Sequence, residues 1–338
     1  MKALVYEDWF VLKVKEVPKP RISDGEALIK VEACGICGSE LETYKNKSPR
    51  RKPPLILGHE FSGTVIEIKG SDSGLKIGRK VVVNSVISCG KCLCCKRGAL
   101  NLCTNRQVFG MNRDGAIAEY VKVPLEYVYQ RPDSLDAVKA SLVEPLANAV
   151  HLFQKLPQIN QPKIAVIGAG CIGLMIMQAA KLIKNSKVIV CDLNEERLTE
   201  AKNLGADLII HPGKEDFIQR SIAFSGQGGL DICIDAVGSE VTKKAAINVL
   251  RPGGHAVWIG LFDNEIKLDS YAITLYEKSI MGTYSALKED FQEAVRLLAD
   301  GRIKAGDWVK IYKLDDAVEA FHDMLEPKGN SIKAVIRP

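Results

Sequence analysis

The chain has no hydrophobic run long enough to cross a bilayer. The longest uncharged apolar stretch, residues 164–177, is 14 residues and contains three glycines, against the ~20 apolar residues a spanning helix needs. No apolar segment opens the chain either. Residues 1–20 carry Lys2, Glu7, Asp8, Lys13, Lys15 and Glu16, a pattern that predicts no secretory leader and a cytoplasmic protein. Charge of one sign is scarce: 46 Lys and Arg against 41 Asp and Glu leave +5 over 338 residues. Basic repeats interleaved with aromatics are missing, so neither nucleic acid nor a membrane surface is an expected partner. Internal repeats and low-complexity tracts are absent too, and 46% hydrophobic with 26% charged residues is ordinary for globular domains.

What is plentiful is cysteine. Of ten, seven fall between Cys34 and Cys103, and Cys171, Cys191 and Cys233 sit in apolar stretches. A chain of this length suggests about two domains, each able to bury its own core without staples. In a reducing compartment clustered thiols point to metal or chemistry rather than to five disulfides, and none is expected.

Two textures divide the chain. Residues 27–32 (ALIKVE), 63–68 (GTVIEI) and 80–84 (KVVVN) read as short strands broken by Pro18–Pro20, Pro53-Pro54 and the turn 70–78, an antiparallel barrel-like pattern. Beyond Pro157–Pro162 strands and helices alternate. Strands are expected at 163–167, 187–191, 208–210, 230–234 and 255–259, with helices at 172–183, after Asn194, and at 242–250. That is the signature of a doubly wound parallel sheet. A helix at 290–298 and a strand at 333–336 close the chain, and that last strand is free to return to the first domain.

Gly168-Ala169-Gly170-Cys171-Ile172-Gly173 follows the first buried strand and opens a helix. In this context G-x-G-x-x-G is a dinucleotide turn: Gly168 for the tight bend, Gly170 for approach to a pyrophosphate, Gly173 for helix–strand packing. Asp192, 24 residues after Gly168, is placed to accept from ribose hydroxyls and favours NAD over NADP. Arg197 is open to three readings: a pair with Asp192, a stack on adenine, or a phosphate contact.

Cys89, Cys92, Cys95 and Cys103 form C-x2-C-x2-C-x7-C. Four thiolates within one loop close a tetrahedral Zn2+ with no water position, a structural site. Cys94 is surplus, a bystander or a substitute ligand. A second, dispersed set comprises Cys37, His59, Glu60 and Glu144. Thiolate, imidazole and carboxylate suit an open, catalytic zinc, though spacing alone does not join them.

The ordered run CGICGSE (34–40), GHEFSG (58–63), the four-cysteine loop, EPL (144–146) and the Gly-rich turn resembles the zinc-dependent medium-chain dehydrogenases over nearly the whole chain. The resemblance implies an α/β protein with a GroES-like β-rich catalytic domain (1–147 and 286–338) and a Rossmann NAD-binding domain (148–285). It implies two zincs per chain. Cys37, His59 and Glu60 or Glu144 would hold the catalytic ion, the two carboxylates able to exchange. Ser39 would start a proton relay, and Glu40 would orient His59. Asn148, Val237, Ile259 and Gly260 would join Gly168, Gly170, Cys171, Ile172, Gly173, Asp192 and Arg197 along the cofactor.

Where relatives end the relay with His, this chain has Glu42, either a proton exit or a solvated helix residue. Glu144 in place of Cys is similar to the polyol (sorbitol-type) and threonine 3-dehydrogenase branches. A polyol or sugar substrate is the first expectation, with 282–285 (GTYS) in its favour. L-Threonine is the alternative, since 144–151 resembles that branch, but Val86 stands where that branch has His. Other secondary alcohols remain, and a non-catalytic sensor would lack the ligands that are all present. Lys45, Lys47, Arg50, Arg51 and Lys52 are either a solvated loop or a guide for anionic substrates. A homodimer or homotetramer through the Rossmann edge, with residues 255–261 and beyond as candidates, completes the expectation.

Overall fold

Glu26–Gly35 and Glu60–Lys69 are β-branched-rich runs that pair antiparallel, with register shifts between Leu28/Ile29 and Val31/Ala33. Such irregularities bend and twist a pair of strands, as a closing barrel requires. At Gly63 a Cβ would stand 2.2 Å from the Lys30 carbonyl oxygen, so only glycine permits the approach. In a computed structural model that describes residues 1–70, 74–226, 228–326 and 331–338, these two strands lie at the middle of a larger sheet. Its order runs Val128–Gln130, Lys80–Val83, Glu60–Lys69, Glu26–Gly35, Lys333–Arg337, Val309–Lys313, with Tyr120–Pro124 also on Glu26–Gly35. The closing strand therefore returns to the N-terminal part, antiparallel to Cys34 and Gly35 and parallel to Val309–Lys313. Leu4, Ile29, Phe61, Phe109, Ile117 and Phe321 lie in the core of this unit, which comprises Met1–Ala147 and Ser285–Pro338.

The other unit, Asn148–Tyr284, is built on six parallel strands. Their order is Leu208–Ile210, Lys187–Cys191, Lys163–Ile167, Leu230–Asp235, Leu250–Trp258, Ser279–Gly282. The strand order reverses between Lys163–Ile167 and Leu230–Asp235, and ligands of such sheets bind at that switch point, beyond the strands' carboxyl ends. The strands bury Ile164, Val166, Val188, Val190, Ile232 and Ile234 completely because helices cover both faces.

Several boundaries differ from the sequence pattern. The first-domain strands expected at 27–32 and 63–68 extend to ten residues each, since backbone pairing continues through polar Glu26 and Glu60. The strand expected at 255–259 begins at Leu250, where Pro252 and Gly253 mask it in the sequence. Three residues of the expected turn 70–78 lie outside those described.

Candidate active site and metal centres

The strand Glu26–Gly35 delivers the chain to Cys37, which caps the helix Gly38–Asn46 from an extended conformation (φ −90°, ψ 146°). The helix N-terminus favours negative charge on that sulfur. Ser39, in the first turn, donates its hydroxyl to Cys37 Sγ at 3.3 Å. Glu40 is buried behind it. One carboxylate oxygen accepts from the Cys37 N–H at 3.0 Å, and the other from the Gly58 N–H at 2.7 Å. That second oxygen also faces His59 Nδ1 at 3.3 Å. An acceptor at Nδ1 fixes the tautomer and frees Nε2 for a metal. Burial draws the His59 pKa down, but the Cys37 sulfur and the Glu40 carboxylate outweigh it and hold it well above its ordinary value. Burial pushes Glu40 up, yet His59, the Arg51 charge and the Cys37 N–H hold it at about 2. Gly58 (φ +104°) makes this approach possible: a Cβ would stand 2.6 Å from the Ile117 nitrogen and 2.7 Å from Cys34 Sγ.

Glu60 opens the next strand, opposite Gly35. Its carboxylate reaches across Gly35 to Lys333 Nζ on the closing strand, and both side chains are buried, at 2% and 3% exposure. A Cβ on Gly35 would lie 2.5 Å from Glu60 Oε2 and 2.8 Å from Lys333 Cε, so the glycine is what lets the pair form. Donor atoms of Cys37, His59 and Glu60 lie within 4.8 Å of one another. Glu144 is the exception to the expected four: it stands outside that group. It occupies the first turn of Val143–Lys155 and accepts from Ser85 Oγ at 3.1 Å. Burial raises its pKa, with His59 opposing and Glu60 adding. Thiolate, imidazole and carboxylate converging on one point, with the imidazole's far nitrogen already held, fit a zinc ion.

Arg50 ion-pairs with Glu42 at 2.8 Å, and Glu42 is half-buried in the helix Gly38–Asn46. The basic run is dispersed. Lys45 donates to the Leu325 carbonyl, Lys47 covers the Phe10 ring, and Arg51 is buried at 1% exposure. Lys45, Lys47, Arg50 and Lys52 remain exposed, whereas Arg51 is turned into the interior.

The four-cysteine loop folds around a short helical turn, Leu93–Lys96, and all four sulfurs lie within 4.8 Å of one another. Cys92 Sγ is 3.4 Å from Cys95 Sγ and 3.8 Å from Cys103 Sγ. The Cys89 N–H donates to Cys103 Sγ at 3.2 Å. Backbone N–H groups of Cys95 and Thr104 draw the Cys92 thiol down to about 5, while burial and the neighbouring sulfurs push Cys95 up to about 11. Amides aimed at convergent sulfurs fit thiolates around a metal. Cys94 is not one of the four, and no disulfide joins any of the ten cysteines.

At the switch point Gly168 adopts φ +101°, and a Cβ on Gly173 would stand 1.8 Å from the Gly168 carbonyl oxygen. Gly170 faces open space, and no side chain caps the helix Cys171–Lys184, with Ile172 in its first turn. A bare helix N-terminus behind a glycine turn fits a pyrophosphate. Asp192 follows directly on the strand Lys187–Cys191 and accepts from the Ala169 N–H at 2.6 Å and the Asn194 N–H at 2.8 Å. Each oxygen retains a further lone pair. Arg197 makes no ion pair with Asp192 among the described residues; its N–H is capped by Asn194 at 2.9 Å. Val237 lies 40% exposed across from Gly168, and Gly238 packs on Gly260. Ile259 and Gly260 both donate to the Asp235 carbonyl at 3.0 Å. Asn148 lies in the helix Val143–Lys155.

Lys333 and Ser85 escaped the sequence reading. A lysine at the head of an otherwise apolar closing strand was the only signal for the first, and nothing marked the second.

Residues 23–133 match the family model for the alcohol dehydrogenase GroES-like domain, and residues 171–300 that for the zinc-binding dehydrogenases. D-arabitol-phosphate dehydrogenase of Enterococcus avium is 35% identical over 94% of this chain and 91% of its own length. Sorbitol dehydrogenase of Bacillus subtilis strain 168 is 32% identical over 100% and 97%. Among solved structures, a short chain alcohol dehydrogenase of Escherichia coli CFT073 in complex with NADH is 29% identical, with a TM-score of 0.92 over 100% of this chain and 99% of that one. The chain belongs to the zinc-dependent alcohol dehydrogenase family, with a GroES-like part and a Rossmann part. It is accordingly an oxidoreductase that uses zinc and a nicotinamide dinucleotide on an alcohol.

Proposed function

We propose that the protein oxidises a secondary hydroxyl of a polyol or related sugar to a ketone, with NAD preferred over NADP. The observation that carries this is the carboxylate-rich donor set: Glu60 grouped with Cys37 and His59, and Glu144 beside it on Ser85. A substrate with several hydroxyls offers further donors to such oxygens. Zinc held by Cys37, His59 and Glu60 or Glu144 supplies the Lewis acidity that makes a hydroxyl acidic near neutral pH, and the nicotinamide supplies the hydride acceptor. The chain's own residues do the rest. Glu40 holds the His59 ring, Lys333 neutralises Glu60 when that carboxylate is turned from the metal, and Ser39 starts the proton relay, accepting the hydroxyl proton on Oγ as its own proton passes on toward ribose and solvent. Cys89, Cys92, Cys95 and Cys103 hold a second, structural zinc. Asp192, with a lone pair left on each oxygen, accepts from ribose and disfavours a 2′-phosphate, while Gly168, Gly170, Cys171, Ile172, Gly173, Arg197, Asn148, Val237, Ile259 and Gly260 line the cofactor.

The assembly we infer is a homodimer or homotetramer in the cytoplasm. Exposed Leu261, Phe262, Tyr271 and Leu275, in the segment leading to the edge strand Ser279–Gly282, support it. No helix among the described residues is long and apolar enough to cross a membrane. The test is a panel of polyols, polyol phosphates, inositols, sugar acids and L-threonine with NAD and NADP, followed at 340 nm. Turnover of L-threonine with none of the polyols would overturn the substrate class.

A further inference from the structure

Arg51 is the most deeply buried cation in the N-terminal unit among the described residues, at 1% exposure. No carboxylate lies within ion-pair distance of it among those residues. Taking a guanidinium out of water without a direct counter-ion is costly, so its hydrogen bonds show what it is there to hold. Nε donates to the Gly110 carbonyl at 2.8 Å. One terminal nitrogen donates to the Ser39 carbonyl at 2.8 Å and to Thr43 Oγ1 at 3.2 Å. The other donates to the Ser39 hydroxyl oxygen at 2.9 Å. Ser39 is thus gripped at both its backbone and its side chain by one rigid fork. With a lone pair of Oγ occupied by Arg51, the hydroxyl proton is left to point at Cys37 Sγ, 3.3 Å away.

We propose that Arg51 is a positioning residue for the reaction: it orients the Ser39 hydroxyl toward the Cys37 sulfur and the reacting oxygen, and its charge offsets the anionic groups around them. The inference rests on the dehydrogenase reading above. A hydrocarbon in the same space could anchor the helix Gly38–Asn46, but it would leave Ser39 free to rotate. The guanidinium also carries a charge that Glu40 feels directly.

A double-mutant cycle with Ser39→Ala tests this, since an effect exerted through Ser39 vanishes when Ser39 has no hydroxyl. Arg51→Met should lower kcat on sorbitol, or on the fastest polyol of the panel, roughly tenfold with KM little changed. In the Ser39→Ala background it should cost nothing further. A second readout needs no turnover. The sulfur-to-metal absorption band of Co2+-loaded protein, minus that of Co2+-loaded Cys37→Ser, reports the Cys37 sulfur alone. Arg51→Met should shift that band in the direction Ser39→Ala does, and the double variant no further.

Independent, additive losses in kcat together with an unshifted band would overturn the proposal and leave Arg51 a structural anchor. Should Arg51→Met fail to fold, Arg51→Lys keeps the charge but not the fork, and the same cycle and band apply. If the wild type oxidises no alcohol, the functional reading fails, while the cobalt band still decides whether Arg51 sets Ser39.

Discussion

Cys89, Cys92, Cys95 and Cys103 span fifteen consecutive residues, whereas Cys37 and Glu144 are 107 positions apart. Both sets lie in the same unit, and both fit zinc, yet they are built in opposite ways. The four-cysteine loop supplies its own supports: amides of Cys89, Cys95 and Thr104 aim at its sulfurs. No other part of the sheet is needed to bring its donors together. At Cys37 the sulfur is held locally by Ser39, but the other donors are held by residues from elsewhere in the fold. Ser39 and Glu40 come from one helix, Lys333 from the closing strand, Ser85 from a separate loop. A self-sufficient loop stabilises; a site assembled from distant supports can be tuned atom by atom, which is what chemistry needs.

That contrast breaks or sharpens under substitution. Cys37→Ser should abolish turnover, a loss of more than about a thousandfold, while circular dichroism and Tm stay near the wild-type values. If activity survives, Cys37 is not where the reaction occurs. Cys103→Ser should act on the fold instead. Zinc measured by atomic absorption should drop from two ions per chain to one, and Tm should fall by roughly 3–4 °C, the mark of about 2–3 kcal/mol in a chain of this size. An unchanged zinc content would dissolve the distinction between the two sites.

Lys333→Met leaves Glu60 buried without its cation, at a cost of about 3–5 kcal/mol in denaturant unfolding of the zinc-free protein. Zinc should restore part of that loss by giving the carboxylate a new partner. A loss of equal size with and without zinc would mean that Glu60 does not turn to the metal. The smallest effect belongs to Glu42→Gln. Because Glu42 is engaged with Arg50 at the surface, kcat and its pH profile should stay within about twofold, as exposed ion pairs contribute little. A clear fall in kcat would return Glu42 to the proton path.

Much of this architecture was open to reading from the residues. Lys163–Ile167 and Lys187–Cys191 fall where continuous apolar runs put them, and Asn194 caps its helix through Arg197 as its position suggested. Sheet strands buried on both faces and capped helices are encoded locally, so a short window of sequence carries the signal. The same holds for the four-cysteine loop. The basic run after Lys45 is the opposite case. Five cations in eight residues look like surface, and Lys45, Lys47, Arg50 and Lys52 are exposed, but composition carries no direction, and the fold turns Arg51 inward to Ser39.

Sequence by itself determined the two-texture organisation, the glycine turn for a dinucleotide and the four sulfurs of the structural centre, because each depends on residues close together in the chain. Only the tertiary structure decided that Glu60 is paired with Lys333 across Gly35 and that Glu144 accepts from Ser85. Those contacts join strands and helices far apart in sequence. Their energies depend on burial and on distances of about 3 Å, which no local pattern of residues encodes.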